Sequence, residues 1–101
     1  MTNRSPKRSS RYFVYILRCA DGSYYTGYTS NLAKRVALHN RGGGSKYVRS
    51  KLPAKLIFKK KYRYYKNALN EERRIKTLSR KRKNDLIHSI KKGKNLHHAK
   101  I

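Results

Sequence analysis

The 101-residue chain carries 28 Lys and Arg against 4 Asp and Glu, which gives it a net charge of +24 and a pI near 10.8. Hydrophobic residues make up 37% of the chain, which favours a single globular domain with one modest core over a disordered chain. A positive charge of this size opposes compaction, and its expected use is the binding of a polyanion. Nucleic acid is the first candidate. An acidic membrane surface is the second, although no basic amphipathic helix with a bulky apolar face supports it.

Residue counts argue against several further classes of protein. The single cysteine, Cys19, excludes an intrachain disulfide, and we expect it to pack as a small residue at the end of a strand. One Cys and four scattered His argue against a zinc site. No apolar run approaches the length of a membrane span or of a signal-peptide core. We therefore expect a cytoplasmic protein of bacterial type that does not associate with membranes.

The first half of the chain begins with a basic tail and a predicted hairpin. Residues 1–11 are polar and basic, and we expect a flexible tail that adds affinity for phosphates. Tyr12–Arg18 is a run of aromatic and β-branched residues, which predicts a strand. Residues 20–23, A-D-G-S, predict a turn because Asp and Gly tolerate positive φ. The return strand is predicted at 24–28.

A helix and a loop follow the hairpin. Residues 29–31, T-S-N, are helix-capping types, and the apolar spacing after them predicts a helix over 32–40. The glycines of 42–45 end this helix and predict a loop with little intrinsic stiffness. We expect that loop to continue through 46–49, K-Y-V-R, and to end at Pro53.

The second half of the chain predicts one strand and two helices. Residues 55–64 are apolar at the start and basic later, and we assign them to a third strand. Apolar residues at steps of three and four predict a helix over 66–78. Ser79 is a capping residue for a third helix over 80–91, and residues 93–101 are predicted to form a second basic tail.

Two residues of the first predicted helix are candidates for a site. Arg35 and His39 are four residues apart, so their side chains share one face of the helix. Each also has an ordinary explanation, since a solvated arginine and a helix-end histidine that interacts with the helix dipole are common.

Glu72 is the most informative single residue. Its spacing from Ala68 and Ile75 puts a carboxylate on the helix face that otherwise meets the core. A half-buried carboxylate has a desolvation cost that must be offset. A salt bridge with one of the many cations would offset it, and so would a bound metal ion. We expect the neighbouring Glu71 to point elsewhere and to be solvated.

The hairpin resembles the opening of the GIY-YIG nuclease domain. Residues 13–15, F-V-Y, stand where this family has its first triplet, with Phe13 in place of the glycine, and residues 25–27, Y-T-G, stand at the second triplet. Arg35 follows Tyr25 by ten residues, as the family's arginine does, and His39 falls where members carry His or Tyr.

The resemblance extends over residues 12–87. Glu72, within the segment A-L-N-E-E-R-R-I-K-T-L, matches the family's metal-binding glutamate. The chain is most similar to the small single-domain bacterial members of the URI and YhbQ type, which K-Y-V-R and I-K-T-L-S-R-K-R-K also fit. This family implies an α+β domain over residues 12–92, in which helices flank a small three-stranded antiparallel sheet. It also implies a metal-dependent endonuclease that hydrolyses phosphodiester bonds, with DNA as the expected substrate and repair or recombination as the expected process.

The family resemblance implies a role for each matched residue. A Mg²⁺ or Mn²⁺ ion on Glu72 would neutralise the phosphate and the leaving 3′-oxygen. Tyr15, or a relay from it through His39, would accept the proton of the attacking water. Because the ordinary pKa of tyrosine is near 10, we expect neighbouring cations to lower the pKa of Tyr15. Tyr25 would orient the site, and Arg35 would clamp the scissile phosphate.

Six further residues are expected to contact nucleic acid: Gly27, Lys46, Arg49, Lys76, Lys83 and Asn84. Gly27 would let the backbone approach closely. Asn84 fits a polar position near the family's active site, although a solvated helix asparagine explains it equally well. Tyr28 directly follows the second triplet, where packing is sufficient to explain it.

A second class of function remains open from the sequence. A non-catalytic basic protein that binds nucleic acid, such as a ribosome- or nucleoid-associated factor, accounts for the charge. Composition alone favours it. It does not account for a carboxylate at position 72 on an apolar helix face, which the nuclease hypothesis explains.

Overall fold

The computed structural model describes residues 11–89, so both predicted basic tails, apart from Arg11, and the end of the last predicted helix lie outside the described residues. In this range the elements are β1 (Tyr12–Arg18), β2 (Tyr24–Thr29), α1 (Leu32–Asn40), α2 (Lys46–Arg49), β3 (Lys55–Tyr62), α3 (Tyr65–Lys76) and α4 (80–89). None of the helices between residues 11 and 89 combines the length and the apolar character that crossing a membrane requires.

The sheet of residues 11–89 has three strands in the order β2-β1-β3, and both neighbouring pairs are antiparallel. This confirms the predicted α+β fold. The turn between β1 and β2 forms as its residues predict: Gly22 has a φ of 87°, and the side chain of Asp21 accepts a hydrogen bond from the Ser23 amide at 3.0 Å. In the resulting register Tyr15 stands opposite Gly27 of β2.

The central strand β1 is buried on both faces because helices cover each side of the sheet. Val14 and Ile16 pack on one face against apolar residues of β3, α3 and α4, namely Phe58, Ala68, Ile75 and Ile87. Tyr15 and Leu17 pack on the other face against residues of α1, of α2 and of the segments beside them, namely Cys19, Leu32, Val36, Val48 and Ala54. Successive residues of a strand point to opposite faces, so β1 joins both halves of the core.

The structure corrects the predicted loop over residues 46–49 and the predicted end of the third strand. Residues 46–49 form the short helix α2 and not a continuation of the loop, because Ser45 caps it by accepting a hydrogen bond from the Tyr47 amide and because Val48 is fully buried. The third strand ends at Tyr62 and not at residue 64, because Tyr64 is the N-cap of α3. A four-residue helix shows no periodicity in sequence, and caps without a side-chain hydrogen bond carry no sequence signal.

The predicted caps of the other helices form. Asn31 accepts a hydrogen bond from the Lys34 amide at 3.1 Å, and Ser79 accepts one from the Arg82 amide at 3.2 Å. Gly42, one residue past the C-cap of α1, has a φ of 82°, which is the left-handed conformation that ends many helices. These caps fix where α1 begins and ends relative to the sheet.

Candidate functional site

A pocket of about 320 Å³ lies beside the edge strand β2. Its walls come from β1, β2, the start of α1 and α3, and its lining residues are Tyr12, Tyr15, Tyr25, Gly27, Tyr28, Thr29, Ser30, Arg35 and Glu72. The fold therefore brings together the predicted residues Tyr15, Tyr25, Gly27, Arg35 and Glu72, which are far apart in sequence.

Gly27 makes room for the Tyr15 side chain. A Cβ atom at position 27 would lie 2.6 Å from the Tyr15 hydroxyl oxygen and 2.8 Å from Cζ, closer than such contacts occur in proteins. The Tyr15 ring therefore lies against the backbone of β2 at the place where no side chain intervenes. Gly27 thus permits a close approach of Tyr15 within the protein, while its predicted contact with nucleic acid stays a prediction.

His39 lies behind Tyr15 and does not line the pocket. Its Nε2 atom is 3.0 Å from the Tyr15 hydroxyl oxygen, and only 1% of its surface is exposed. The His39 ring also meets Tyr25 edge to face, with 5.3 Å between the ring centroids. His39 thus fixes the position of both pocket tyrosines from the protein interior.

The pKa values of Tyr15 and His39 shift in the directions that keep both groups neutral. Burial, with Tyr25 and then Glu72 as smaller causes, raises the pKa of Tyr15 to about 12, although Arg35 acts in the opposite direction. We expected nearby cations to lower this pKa, but burial outweighs the cation that is present. Burial and, second, the charge of Arg35 lower the pKa of His39. At neutral pH the pair is therefore a neutral phenol and a neutral imidazole.

The surroundings of the His39 Nδ1 atom favour one tautomer of the imidazole ring. The Nδ1 atom is buried and has no hydrogen-bond partner among the described residues, and Gly44 packs directly against it. A buried N–H group without an acceptor is rarer and costlier than a buried acceptor without a donor. This favours the tautomer with its hydrogen on Nε2, which then donates to the Tyr15 oxygen.

Glu72 lies on the buried face of α3, as its spacing predicted. Its side chain is 10% exposed, and its Oε2 atom pairs with the Nζ atom of Lys76 at 2.9 Å. Lys76, which we expected to contact nucleic acid, thus provides the salt bridge that was one of the two predicted ways to offset the burial of Glu72. The Lys76 side chain is half exposed, so it has room to move away when another cation competes.

Glu71 differs from the sequence prediction. Its carboxylate is only 18% exposed and accepts two hydrogen bonds from Arg74, at 2.9 and 2.6 Å. The hydrogen bond from Arg74 is the main cause that lowers the pKa of Glu71. Glu71 does not line the pocket, so α3 carries two adjacent ion-paired carboxylates of which one faces the cavity.

The donor atoms around the pocket fit a hydrated magnesium or manganese ion with one protein ligand. Residues 11–89 contain no cluster of three or more His, Cys, Asp or Glu side chains that would enclose a metal ion. Mg²⁺ does not need such a cage, because it retains several waters and binds one or two carboxylates together with substrate phosphates. Glu72 offers one carboxylate on the wall of a cavity that has room for waters and a phosphate.

The other predicted contacts to nucleic acid lie away from the pocket. Lys46 and Arg49 are exposed on α2, and Lys83 is half-buried on α4. Asn84 accepts a hydrogen bond from the Tyr24 hydroxyl at 2.5 Å, which ties α4 to β2. Asn84 is half-buried and does not line the pocket.

Four pocket residues were not among the predicted site residues: Tyr12, Tyr28, Thr29 and Ser30. The Tyr28 hydroxyl lies 3.3 Å from that of Tyr65, and a hydrogen bond between them is the first cause that raises the pKa of Tyr28. Their position in the sequence could have indicated three of them, because Tyr28, Thr29 and Ser30 directly follow the second triplet along an edge strand.

Comparison with known proteins places this geometry in a family. Residues 11–85 match the GIY-YIG catalytic domain. A UPF0213 protein of Bacillus pumilus is 39% identical over 86% of this chain and 89% of its own, and one of Staphylococcus aureus is 45% identical over 75% and 93%. Among solved structures, the chain is similar to a UPF0213 protein of Bacillus halodurans (TM-score 0.53, 38% identity, 77% and 83% covered) and to a protein of E. faecalis (TM-score 0.57, 33% identity, 89% and 91% covered).

Proposed function

Because the chain belongs to the GIY-YIG family of nuclease domains, we propose that it is a metal-dependent endonuclease that hydrolyses phosphodiester bonds in nucleic acid, with DNA as its substrate. The observation that carries the proposal is the shared pocket, where Arg35, Glu72 and the tyrosines at positions 15 and 25 line one cavity large enough for a phosphodiester.

Arg35 and Glu72 have complementary tasks in this proposal. The Arg35 guanidinium is a strong donor to phosphate oxygens and opposes the charge that develops in the transition state. Glu72 would hold a divalent ion, which when bound would supply Lewis-acid stabilisation of the phosphate and of the departing 3′-oxygen. Because Glu72 already holds Lys76, binding of the metal ion competes with that ion pair.

Tyr15 is the proposed acceptor of the proton of the attacking water. A relay that ends on His39 requires an unprotonated Nε2 and therefore leaves a hydrogen on Nδ1, which is buried without a partner among the described residues. The other tautomer donates from Nε2 and stabilises a Tyr15 phenolate. Because burial raises the pKa of Tyr15 to about 12, formation of the phenolate requires positive charge close to its hydroxyl, and Arg35 is the pocket cation that lowers this pKa.

The test is a cleavage assay with purified protein on single-stranded, duplex and branched DNA and RNA, each with Mg²⁺, Mn²⁺ or EDTA. We expect cleavage of DNA that EDTA abolishes. The variant Glu72→Gln should lose nearly all activity while its fold survives. Glu71→Gln is a closely matched control, because it also removes a carboxylate that is ion-paired on α3 but that lies outside the pocket. Equal cleavage rates for the two variants would contradict the proposed role of Glu72.

A non-catalytic binding protein is the second candidate, and the ion pair of Glu72 with Lys76 favours it. In that case Lys76→Gln should lower the melting temperature more than Glu72→Gln, because it leaves a nearly buried carboxylate unpaired, whereas the half-exposed Lys76 can be solvated. The nuclease proposal instead predicts that Lys76→Gln keeps metal-dependent cleavage, because the carboxylate remains. Absence of cleavage on every substrate, together with tight binding, would support the binding protein.

A further inference from the structure

A second cavity adjoins the pocket that contains Glu72. It has a volume of about 450 Å³ and shares Thr29, Ser30 and Arg35 with the first. Its remaining lining residues follow α1 from its N-cap to its C-cap and are Asn31, Lys34, Leu38 and Arg41. The two cavities are therefore neighbours, and Arg35 lies at their boundary.

The groove along α1 has the dimensions of a short piece of a nucleic-acid strand. Lys34, Leu38 and Arg41 follow one another at steps of four and three residues, so they lie on one face of the helix. At 1.5 Å per residue, Lys34 and Arg41 are about 10 Å apart along the axis. Duplex DNA rises about 3.4 Å per nucleotide along its axis, so a helix α1 lying parallel to that axis would span roughly three nucleotides.

The cations of the groove have no acidic partner among residues 11–89. Over residues 11–89, the Asp and Glu side chains that form ion pairs are Glu71 and Glu72, and both are paired within α3. Lys34, Arg35 and Arg41 are exposed, so their charge is available to a ligand. The half-buried Leu38 between them provides an apolar surface that suits sugar atoms better than an anionic protein side chain.

We propose that this groove binds the nucleic-acid strand next to the cleaved bond, with Lys34 and Arg41 each neutralising a phosphate. The inference rests on the proposed function, because it takes the pocket with Glu72 as the place of cleavage. Arg35 is the junction, since it lines both cavities and thus contacts the scissile phosphate while the strand continues along α1.

Binding without cleavage is the first test. Fluorescence anisotropy in EDTA would compare duplex DNA binding by the full chain and by the double variant Lys34→Gln/Arg41→Gln as the salt concentration rises. Loss of two phosphate contacts should reduce the slope of log K against log salt by about 1.8. The control is Lys59→Gln/Lys61→Gln, which removes the same charge from exposed positions on β3, the opposite edge of the sheet. If both variants lose affinity and slope equally, the groove has no special role and the inference is wrong.

Substrate length provides the second test. The wild-type protein and the variant Lys34→Gln/Arg41→Gln would each be assayed on the full substrate and on substrates shortened on one side of the cleavage point. The variant should have a lower kcat/KM than the wild type on the full substrate. This difference should vanish on the substrate that lacks the nucleotides that occupy the groove. We expect this on one side only. A loss that persists with both shortened substrates would overturn the proposed path of the strand. If the wild-type protein binds but cleaves nothing, the proposed function fails, and the anisotropy comparison still decides whether the groove binds a strand.

Discussion

A glycine opposite a tyrosine determines where the Tyr15 hydroxyl lies. In Gly27→Ala the new methyl group would overlap Tyr15, so the ring must leave its place beside His39. We expect a loss of stability of about 1–3 kcal/mol from overpacking and a large fall in cleavage rate. Thermal melting and a cleavage assay would measure the two effects.

Gly22→Ala is the control for that substitution. Its methyl group meets open space, but the φ of 87° is unfavourable for alanine, so stability falls by about 1–2 kcal/mol for a different reason. Because the turn lies away from Tyr15, we expect cleavage by the folded protein to be unchanged. Similar activity losses in the two variants would show that Gly27 acts through general stability alone.

The raised pKa of Tyr15 predicts a loss of stability in alkaline solution. The unfolded chain releases this proton near pH 10, whereas the folded protein retains it until about pH 12. Between these values the unfolded state binds fewer protons, so the free energy of unfolding should fall by up to about 1.4 kcal/mol per pH unit. Denaturant titrations from pH 9 to 12 would measure the free energy of unfolding at each pH. The variant Tyr15→Phe shows the pH dependence that arises from all other titratable groups. Parallel curves for the two proteins would contradict the assignment.

Some residues of the site were predictable from sequence and others were not. The order and spacing of Tyr15, Tyr25, Gly27, Arg35 and Glu72 were sufficient to group them, because each resembles a family position. The partner of Glu72 was left unnamed, although helical spacing points to it, because Lys76 is the one cation three or four residues from Glu72 in the sequence. Lys34 and Arg41 carried no signal of their own, because two lysines or arginines among 28 look like solvated charge.

At the scale of elements, α1 is tied to the segment before β3 by the side chain of Asn40. Its amide donates to the Ala54 carbonyl at 3.0 Å and its oxygen accepts from the Ala54 amide at 2.8 Å. Ala54 is buried, so its backbone groups depend on these bonds. Through them the end of α1 that carries His39 is held at a fixed distance from the sheet.

Asn40→Ala should therefore affect the site through the position of α1. Leaving two backbone groups of Ala54 unpaired should cost about 1–3 kcal/mol per group if water does not replace the side chain. We expect kcat to fall more than the affinity for DNA, because the cations of α1 remain exposed. Asn40→Asp keeps the acceptor and loses the donor, so its melting temperature should be intermediate. If Asn40→Ala melts like the wild type, the link does not position α1.

The elements with periodic patterns or strong caps were predicted nearly to the residue, whereas short and irregular ones were not. β1, β2 and α1 agree with the predicted bounds because alternation, turn residues and Asn31 all mark them. The helix over residues 46–49 is too short for a period, and its burial arises from Val48 packing under β1, a contact distant in sequence. We interpreted the loop glycines as residues that give the backbone conformational freedom, but Gly44 is required for close packing against His39.

At the scale of the whole molecule, the charge of +24 predicts opposite effects of salt on folding and on binding. Screening reduces repulsion among the cations, so the melting temperature of the free protein should rise as NaCl increases from 50 to about 500 mM. Binding to DNA should weaken over the same range because counterion release becomes less favourable. Differential scanning fluorimetry and anisotropy would measure the two trends. A melting temperature that falls with salt would show that attractive ion pairs dominate.

The contact between Tyr15 and Gly27 also determines the register in which β1 and β2 can pair. A slip of one residue between β1 and β2 would set Thr26 or Tyr28 opposite Tyr15, and either side chain would exclude the ring from its place. Misaligned pairings are thus rejected by the same contact that builds the pocket. A molecule with the wrong alignment of β1 and β2 cannot form the proposed active site. An intermediate in which the two strands have not yet paired keeps its positive charge, so it would bind nucleic acid without being able to cut it.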